Sequence, residues 1–389
     1  MLDSGLFPNA IPMTAPIDQL ATERRKEDSD IDARTAKAGD DKVAASTYTR
    51  DILECDLPPV VLDELLKDHT TGKNIIWATD DYAVRGPGFA FRDEIAAAAV
   101  SRRADPVIRP RVDKPKDVQR DRVKKRAEIF TPAWLCCDMI DLADCAWLGR
   151  KTSPFSAKKP HAQKLVPNWD LSKPIRFPKK SKNRTWEAYV AESRLEITCG
   201  EGPFLVSRYD AVSGEIIPVP ARIGILDRKL RIVSEHCPDE AEWRAWAKRA
   251  VQGTYGFEWQ GDNLLLAREN VLATVAEFHD FVFLHEERTD FSALPLDYLV
   301  ELAQIIAWNL WQMDGLKCVV PLSCHDMVET DLFGNETIVP CPGCKDKRHP
   351  LENALLHTGN YCKIVRDWTS DPPETCRFVD VLDSFGKEP

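Results

Sequence analysis

Near the C-terminus the stretch CPGCKDKRHPLENALLHTGNYC sets out Cys341-x2-Cys344-x12-His357-x4-Cys362. No other feature restricts the fold as much. Two thiolates on a Cys-x2-Cys turn occupy one edge of a tetrahedron, and a His and a Cys from the next element can close it. Cys341, Cys344, His357 and Cys362 are therefore the candidate ligands of a Zn2+ ion, with Cys324, His325 and His349 near enough to compete for the fourth position. Four protein ligands leave no open coordination position, so the expected ion is structural and adds to folding free energy instead of activating water. The spacing resembles a stretched zinc knuckle, a type of module that can grip single strands; a clip across a long insert is the use expected here. Twelve cysteines in 389 residues are too few for a disulfide scaffold, and their clustering favours metal. Residues 1–40 lack a positively charged segment followed by an apolar one, and no run approaches the ~18–20 apolar residues of a spanning helix. A cytoplasmic protein without membrane contact is expected.

Charge is distributed unevenly. The chain carries −10 overall, yet residues 101–126 hold eleven Lys/Arg against four Asp, and residues 151–184 hold ten against Asp170 alone. Taken together, residues 101–184 sum to +13, which leaves −23 for the remainder. A basic block on an acidic protein is either a solvated linker or a surface that meets a polyanion such as DNA. Residues 1–45 show little apolar periodicity and read as a disordered arm. Residues 46–126 read as an N-terminal extension and basic connector, 127–322 as an α/β domain, and 323–389 as the zinc-binding segment. Thr131-Pro132 is a helix start, with Thr placed to N-cap and Pro at the first helical position.

Three stretches outline the α/β domain. Residues 194–205, RLEITCGEGPFL, read as a strand, a glycine turn and a renewed apolar element. In residues 254–278 a strand precedes a helix whose apolar positions Leu264, Ala267, Val271, Val275 and Phe278 recur at helical spacing. Residues 296–316 read as a third long helical stretch, and the insertion at 209–252 as a hairpin plus an amphipathic helix. Gly200 and Gly202 let the backbone approach a ligand that a Cβ would block. An acidic residue ending the second strand of a doubly wound sheet, here Glu258, is placed to accept hydrogen bonds from ribose hydroxyls.

On these residues the chain resembles the class I S-adenosylmethionine-dependent DNA methyltransferases. EITCGEGPFL is similar to their motif I, with Glu196, Gly200, Gly202 and Phe204 at matching spacing, and YGFEWQGDNLLLAREN to their motif II, with Glu258 as the ribose ligand. EIFTPAWLCCDMID is similar to the Thr-Pro element, Thr131 and Pro132, which in the adenine N6 group precedes motif I and contacts the methionine moiety. From residue 70 onwards the chain is close to proteins labelled restriction endonuclease subunit M. The resemblance implies an α/β Rossmann-like methyltransferase core, whole or incomplete, at 127–322, with S-adenosylmethionine as cofactor and DNA as partner. Asp314 would take the motif III part of contacting the cofactor's adenine; otherwise it is a helix C-terminal Asp before Gly315.

The chain also departs from that pattern. Ile197 replaces the motif I proline, and the segment between the two motifs is long. The Asn/Asp-Pro-Pro-aromatic tetrad, which binds and stacks on a flipped adenine, has one degenerate counterpart in Asp371-Pro372-Pro373-Glu374. Two function classes follow. One is a DNA adenine N6 methyltransferase or modification subunit, with a second methyltransferase or restriction subunit supplying the tetrad. The other is a non-enzymatic cofactor- or DNA-binding assembly subunit. A zinc-dependent nucleic-acid-processing enzyme would need an open metal position, and no phosphate loop of the Gly-x4-Gly-Lys-Ser/Thr kind occurs.

Overall fold

The computed structural model describes residues 57–100, 106–126, 128–156, 164–178, 183–286, 291–345 and 353–385. The arm expected at 1–45, parts of the basic block (101–105, 157–163 and 179–182) and His349 lie outside the described residues. Three strands, β1 (Arg194–Glu196), β2 (Thr254–Glu258) and β3 (Leu310–Gln312), form a parallel sheet in the order in which they occur along the chain. Arg194 pairs with Thr254, and Gly256 with Leu310. That order matches one half of a doubly wound sheet. The described residues thus hold a mixed α/β fold around a small parallel sheet.

The helices that frame the sheet are, in chain order, α1 (Pro59–Leu66), α2 (Lys116–Arg126), α3 (Ala133–Leu148), α4 (Trp186–Ala191), α5 (Ile225–His236), α6 (Glu240–Gln252), α7 (Gly261–His279) and α8 (Leu296–Asn309). β2 reads Thr-Tyr-Gly-Phe-Glu and is buried throughout, as the middle strand of a sheet covered on both faces must be. Its alternation divides the core. Tyr255 and Phe257 pack with Trp311, Met313, Ile364 and Phe378 on one face, which the C-terminal segment therefore covers. On the other, Gly256 lies against Cys199 and Leu205, which belong with α7 and α5 to the larger core.

α7 is buried along almost its whole length and carries Arg268 inside the protein. The guanidinium donates to the carbonyls of Leu65, Lys67, Ala307 and Leu310, joining the end of α1 to the end of α8. A buried cation is tolerated here because each donor meets an acceptor. Residues of the expected N-terminal extension and of the α/β domain thereby share one core.

Two local expectations are corrected. The stretch 296–316 is not one helix: α8 stops at Asn309 and the chain turns into β3. Apolar periodicity cannot separate a buried helix from the buried strand that follows it. Asn309 fixes the boundary, its side-chain amide donating to the carbonyls of Val251, Gln252 and Thr254. Nor does Thr131 cap α3. Pro132 is the N-cap residue, and Asp210 Oδ2 accepts from the Ala133 N–H at 2.7 Å, doing the capping from a distant loop.

Candidate functional site

β1 ends at Glu196, and the chain turns sharply through Thr198 (φ 54°), Gly200 (φ 54°) and Gly202 (φ 82°). Glu258, at the end of β2, faces this turn. Its Oε2 accepts the Gly200 N–H at 2.9 Å and its Oε1 the Gln260 N–H at 3.2 Å. A Cβ on Gly200 would lie 3.1 Å from the Phe130 ring, so the residue before Thr131-Pro132 packs directly on the turn. The structure thus brings the Thr-Pro element, the glycine turn and Glu258 together at the C-terminal edge of the sheet. Phe204 packs half-buried against the core a step further on.

The surroundings are rich in buried acceptors. Glu196 Oε2, Gln260 Oε1 and Glu128 Oε1 are buried and have no hydrogen-bond partner. Burial holds the Glu196 carboxyl well above its ordinary range, and burial raises Glu258 to about 7 despite the two amides it accepts. Among the described residues no α-helix follows the glycine turn before α5; the helices that begin beside the site are α3, after Thr131-Pro132, and α7, after Gln260.

Asp314 follows β3, whose neighbour Met313 donates its N–H to the Glu258 carbonyl at 3.0 Å. Its carboxylate is engaged locally, accepting from the Leu316 N–H at 3.1 Å and pairing with Lys317 Nζ at 3.4 Å. It is neither a helix C-terminal residue nor free.

Sequence reasoning missed the role of residues 76–82. Gly261 donates to the Trp77 carbonyl, Trp259 Nε1 to the Ala78 carbonyl, and the Gln312 amide clasps both the N–H and C=O of Ile76. This segment lies over the strand ends beside Glu258. Behind it Arg122, almost wholly buried on α2, pairs with Asp81 and Glu128 at 2.6 Å each and with Asp262 at 3.0 Å. Tyr82 and Lys114 also donate to Asp262. The one sequence signal was Gly261, where a Cβ would collide with the Ile76 carbonyl.

The metal-type group is built from Cys324, Cys341, Cys344 and His357, whose ligand atoms all lie within 4.8 Å of one another. His357 Nδ1 is 3.5 Å from Cys324 Sγ and 3.7 Å from both Cys341 and Cys344 Sγ. Tetrahedral Zn2+ with bonds of ~2.3 Å to sulfur and ~2.05 Å to nitrogen requires N···S edges of about 3.6 Å. The donors fit. Cys362 is corrected: its thiol is buried elsewhere and donates to the Gln312 carbonyl at 3.4 Å, while Cys324 takes the fourth position. The Thr358 N–H donates to Cys341 Sγ at 3.4 Å; although burial raises the Cys341 thiol, this contact, the Cys344 amide and His357 bring it down to about 5.

Asp371, Pro372 and Pro373 lie in the exposed turn of a hairpin formed by strands Lys363–Asp367 and Glu374–Arg377. Cys362 touches Gln312 at the C-terminal end of β3, whereas Trp368 touches Asn309 at its N-terminal end. The hairpin therefore runs antiparallel to the sheet and puts this turn at the edge opposite Gly200. The turn is thus not part of the group formed by the Thr-Pro element, the glycine turn and Glu258.

No protein-family model, curated protein or solved structure matches this chain. Among the described residues no helix is long and apolar enough to cross a membrane.

Proposed function

We propose that the glycine turn binds S-adenosylmethionine and that the chain serves DNA adenine N6 methylation, as a methyltransferase or the modification subunit of a restriction–modification system. The observation that carries this is the set of buried, unpartnered acceptors on Glu196, Gln260 and Glu128 around a glycine turn faced by Glu258. Such a site suits a ligand that brings donors and positive charge. S-adenosylmethionine brings ribose hydroxyls and amines that can donate to these oxygens, whereas the phosphates of a dinucleotide bring further acceptors and would leave them unpaired. When bound, the cofactor supplies an electrophilic methyl group. Gly200 and Gly202 keep the backbone low, Glu258 retains lone pairs for hydroxyl donors, and Phe130 with Thr131-Pro132 closes the side next to the turn. Asp314, already occupied, contributes the turn after β3 that supports the Glu258 backbone.

DNA is the substrate this reading names for the basic block, +13 over residues 101–184. Arg122 anchors α2 and leaves Lys116, Arg120, Lys124 and Lys125 exposed beside the site. Salt should weaken such binding steeply. The Cys324/Cys341/Cys344/His357 group is the structural zinc site of the same protein. Calorimetry with S-adenosylmethionine is the test. Glu258→Ala should weaken binding about 10- to 100-fold through loss of its hydrogen bonds to the ligand. A folded, metal-loaded parent that does not bind would overturn the proposal.

A second function is favoured by the position of Asp371–Pro373 away from the glycine turn. In it the chain binds cofactor or DNA as an assembly subunit and performs no chemistry. Methyl transfer to DNA by the chain alone would exclude it; transfer only after adding a subunit that carries Asn-Pro-Pro-Tyr would define a split enzyme.

A further inference from the structure

Between Gly200 and Gly202 the glycine turn carries Glu201, which is buried and reaches away from Glu258. Its Oε1 accepts the backbone N–H of Arg111, and its Oε2 accepts the Tyr209 hydroxyl at 2.8 Å. Arg111 opens a short 3-10 turn, Arg111–Asp113, so the bond from Glu201 ties that turn to the glycines. From there the Arg111 side chain runs to Phe130, with the guanidinium carbon 5.5 Å from the ring centroid. The same ring meets the glycine turn, where a Cβ on Gly200 would stand 3.1 Å from it. Arg111 is therefore held beside the turn twice, by its backbone and by its side chain. Phe130 and Glu128 are buried while Ile129 between them is exposed, so the ring and the Glu128 carboxyl share the inner side of this segment.

What the guanidinium lacks is an acceptor. Among the described residues Arg111 Nε is buried without a hydrogen-bond partner, and Glu201 is engaged by the Arg111 amide and by Tyr209. The neighbouring cations are already paired: Lys114 with Asp262 at 3.1 Å, Arg122 with Asp81 and Glu128 at 2.6 Å each, and Arg126 with Asp81 at 3.2 Å. A rigid fork of donors standing on an aromatic face is complementary to the paired oxygens of a carboxylate or phosphate. The inner side of the same segment separates the two. Glu128 Oε1 and Gln260 Oε1 are buried acceptors that need donors, and the side chains that bear them are hydrogen-bonded to each other at 3.2 Å. A ligand with an anion for Arg111 and an amine for these oxygens fits both requirements. An α-amino acid carries that pair of groups; a phosphate supplies only the first.

We propose that Arg111 is a binding residue of the glycine-turn site and takes the carboxylate of a ligand's α-amino-acid end. This rests on the reading of the turn as the S-adenosylmethionine site, where that end is the methionine carboxylate. It adds a condition to that reading: the site selects for the carboxylate, and an adenosine ligand that lacks it binds weakly.

Calorimetry on the full metal-loaded chain compares S-adenosylmethionine with decarboxylated S-adenosylmethionine, which keeps the adenosine, the sulfonium and the amine. The parent should bind the first about 10- to 100-fold more tightly, the loss expected when a charged hydrogen-bonded pair is not made. Arg111→Met keeps an apolar stem over Phe130 and removes the fork. It should weaken S-adenosylmethionine by a similar factor and leave the decarboxylated ligand unchanged, so that the preference disappears. Arg111→Lys, which keeps the charge without the fork, should fall between the two. Unchanged metal content and melting temperature show that the variants are folded, and the preference of the parent is read without any variant. A parent that binds both ligands equally overturns this inference and leaves the reading of the glycine turn standing; a parent that binds neither overturns both. Equal weakening of the two ligands by Arg111→Met would make Arg111 a support for Phe130 and overturn its contact with the carboxylate. A variant that loses affinity for duplex DNA alone would assign the guanidinium to phosphates and overturn it equally.

Discussion

Cys324→Ser and Cys362→Ser separate the two possible fourth ligands. Cys324 Sγ is 3.5 Å from His357 Nδ1, a tetrahedral edge, whereas Cys362 Sγ is hydrogen-bonded to a carbonyl of β3. An ion present at about 1,000 times its dissociation constant stabilises the folded chain by ~4.1 kcal/mol. If losing one thiolate raises that constant about 1,000-fold, the ion contributes only ~0.4 kcal/mol, a loss of about 3.7 kcal/mol. For a 389-residue chain with an unfolding entropy of about 2.1 cal/mol/K per residue, the midpoint falls by about 4–5 °C. Metal analysis after gel filtration, paired with melting at fixed metal concentration, reads both quantities. Cys324→Ser should lose the ion. Cys362→Ser, whose hydroxyl can keep the bond to Gln312, should retain one ion per chain. The reverse pattern would refute the geometry.

Gly343→Ala should also lose metal, because its Cβ would stand 2.6 Å from His357 Nδ1; full metal content in a folded variant would contradict that. Glu258 gives a pH dependence. Burial raises its carboxyl from 4.5 to about 7, so the folded state favours the protonated form. Its contribution to stability is present below pH ~4.5 and lost as pH rises through about 7. Denaturant titrations of Glu258→Gln should lack that decline, and parallel curves for the two proteins would count against it. Arg122→Met leaves Glu128 and Asp262 buried without their guanidinium and should cost about 3–5 kcal/mol in the same assay. A loss under about 1 kcal/mol would show that water reaches this network.

What was legible in the sequence was whatever local chemistry fixes. The glycine turn after β1, the acidic end of β2, the helical spacing of α7 and the Cys-x2-Cys-x12-His core of the metal group all follow from residues close along the chain. What escaped was decided across long separations. Cys324 and Cys362 are both near the Cys-x2-Cys turn in sequence, and only the antiparallel path of the C-terminal segment sends one thiol to the group and the other to β3. Asp210 caps α3 from 77 residues away. The end of α8 depends on Asn309 meeting three carbonyls around the α6–β2 junction, which no apolar period records. The covering of the strand ends by residues 76–82 left only Gly261 as its mark.

The two candidate sites are joined by the chain between them. Met313 holds the Glu258 carbonyl, Asp314 bridges to Val319, and Val319 bridges to Tyr361, four residues past His357. Val320 then donates to the Asn360 carbonyl. A clip that pins Cys324 to His357 therefore also fixes the strand that supports Glu258. With so short a parallel sheet, the end of β3 has no further parallel strand beyond it to hold it among the described residues. The C-terminal segment takes that place, packing under Tyr255 and Phe257 on one face and returning past β3 at the edge. A metal held by this group would act through shape: closing the loop between residues 324 and 357 would lower the entropy cost of keeping the acidic strand end aimed at the glycine turn.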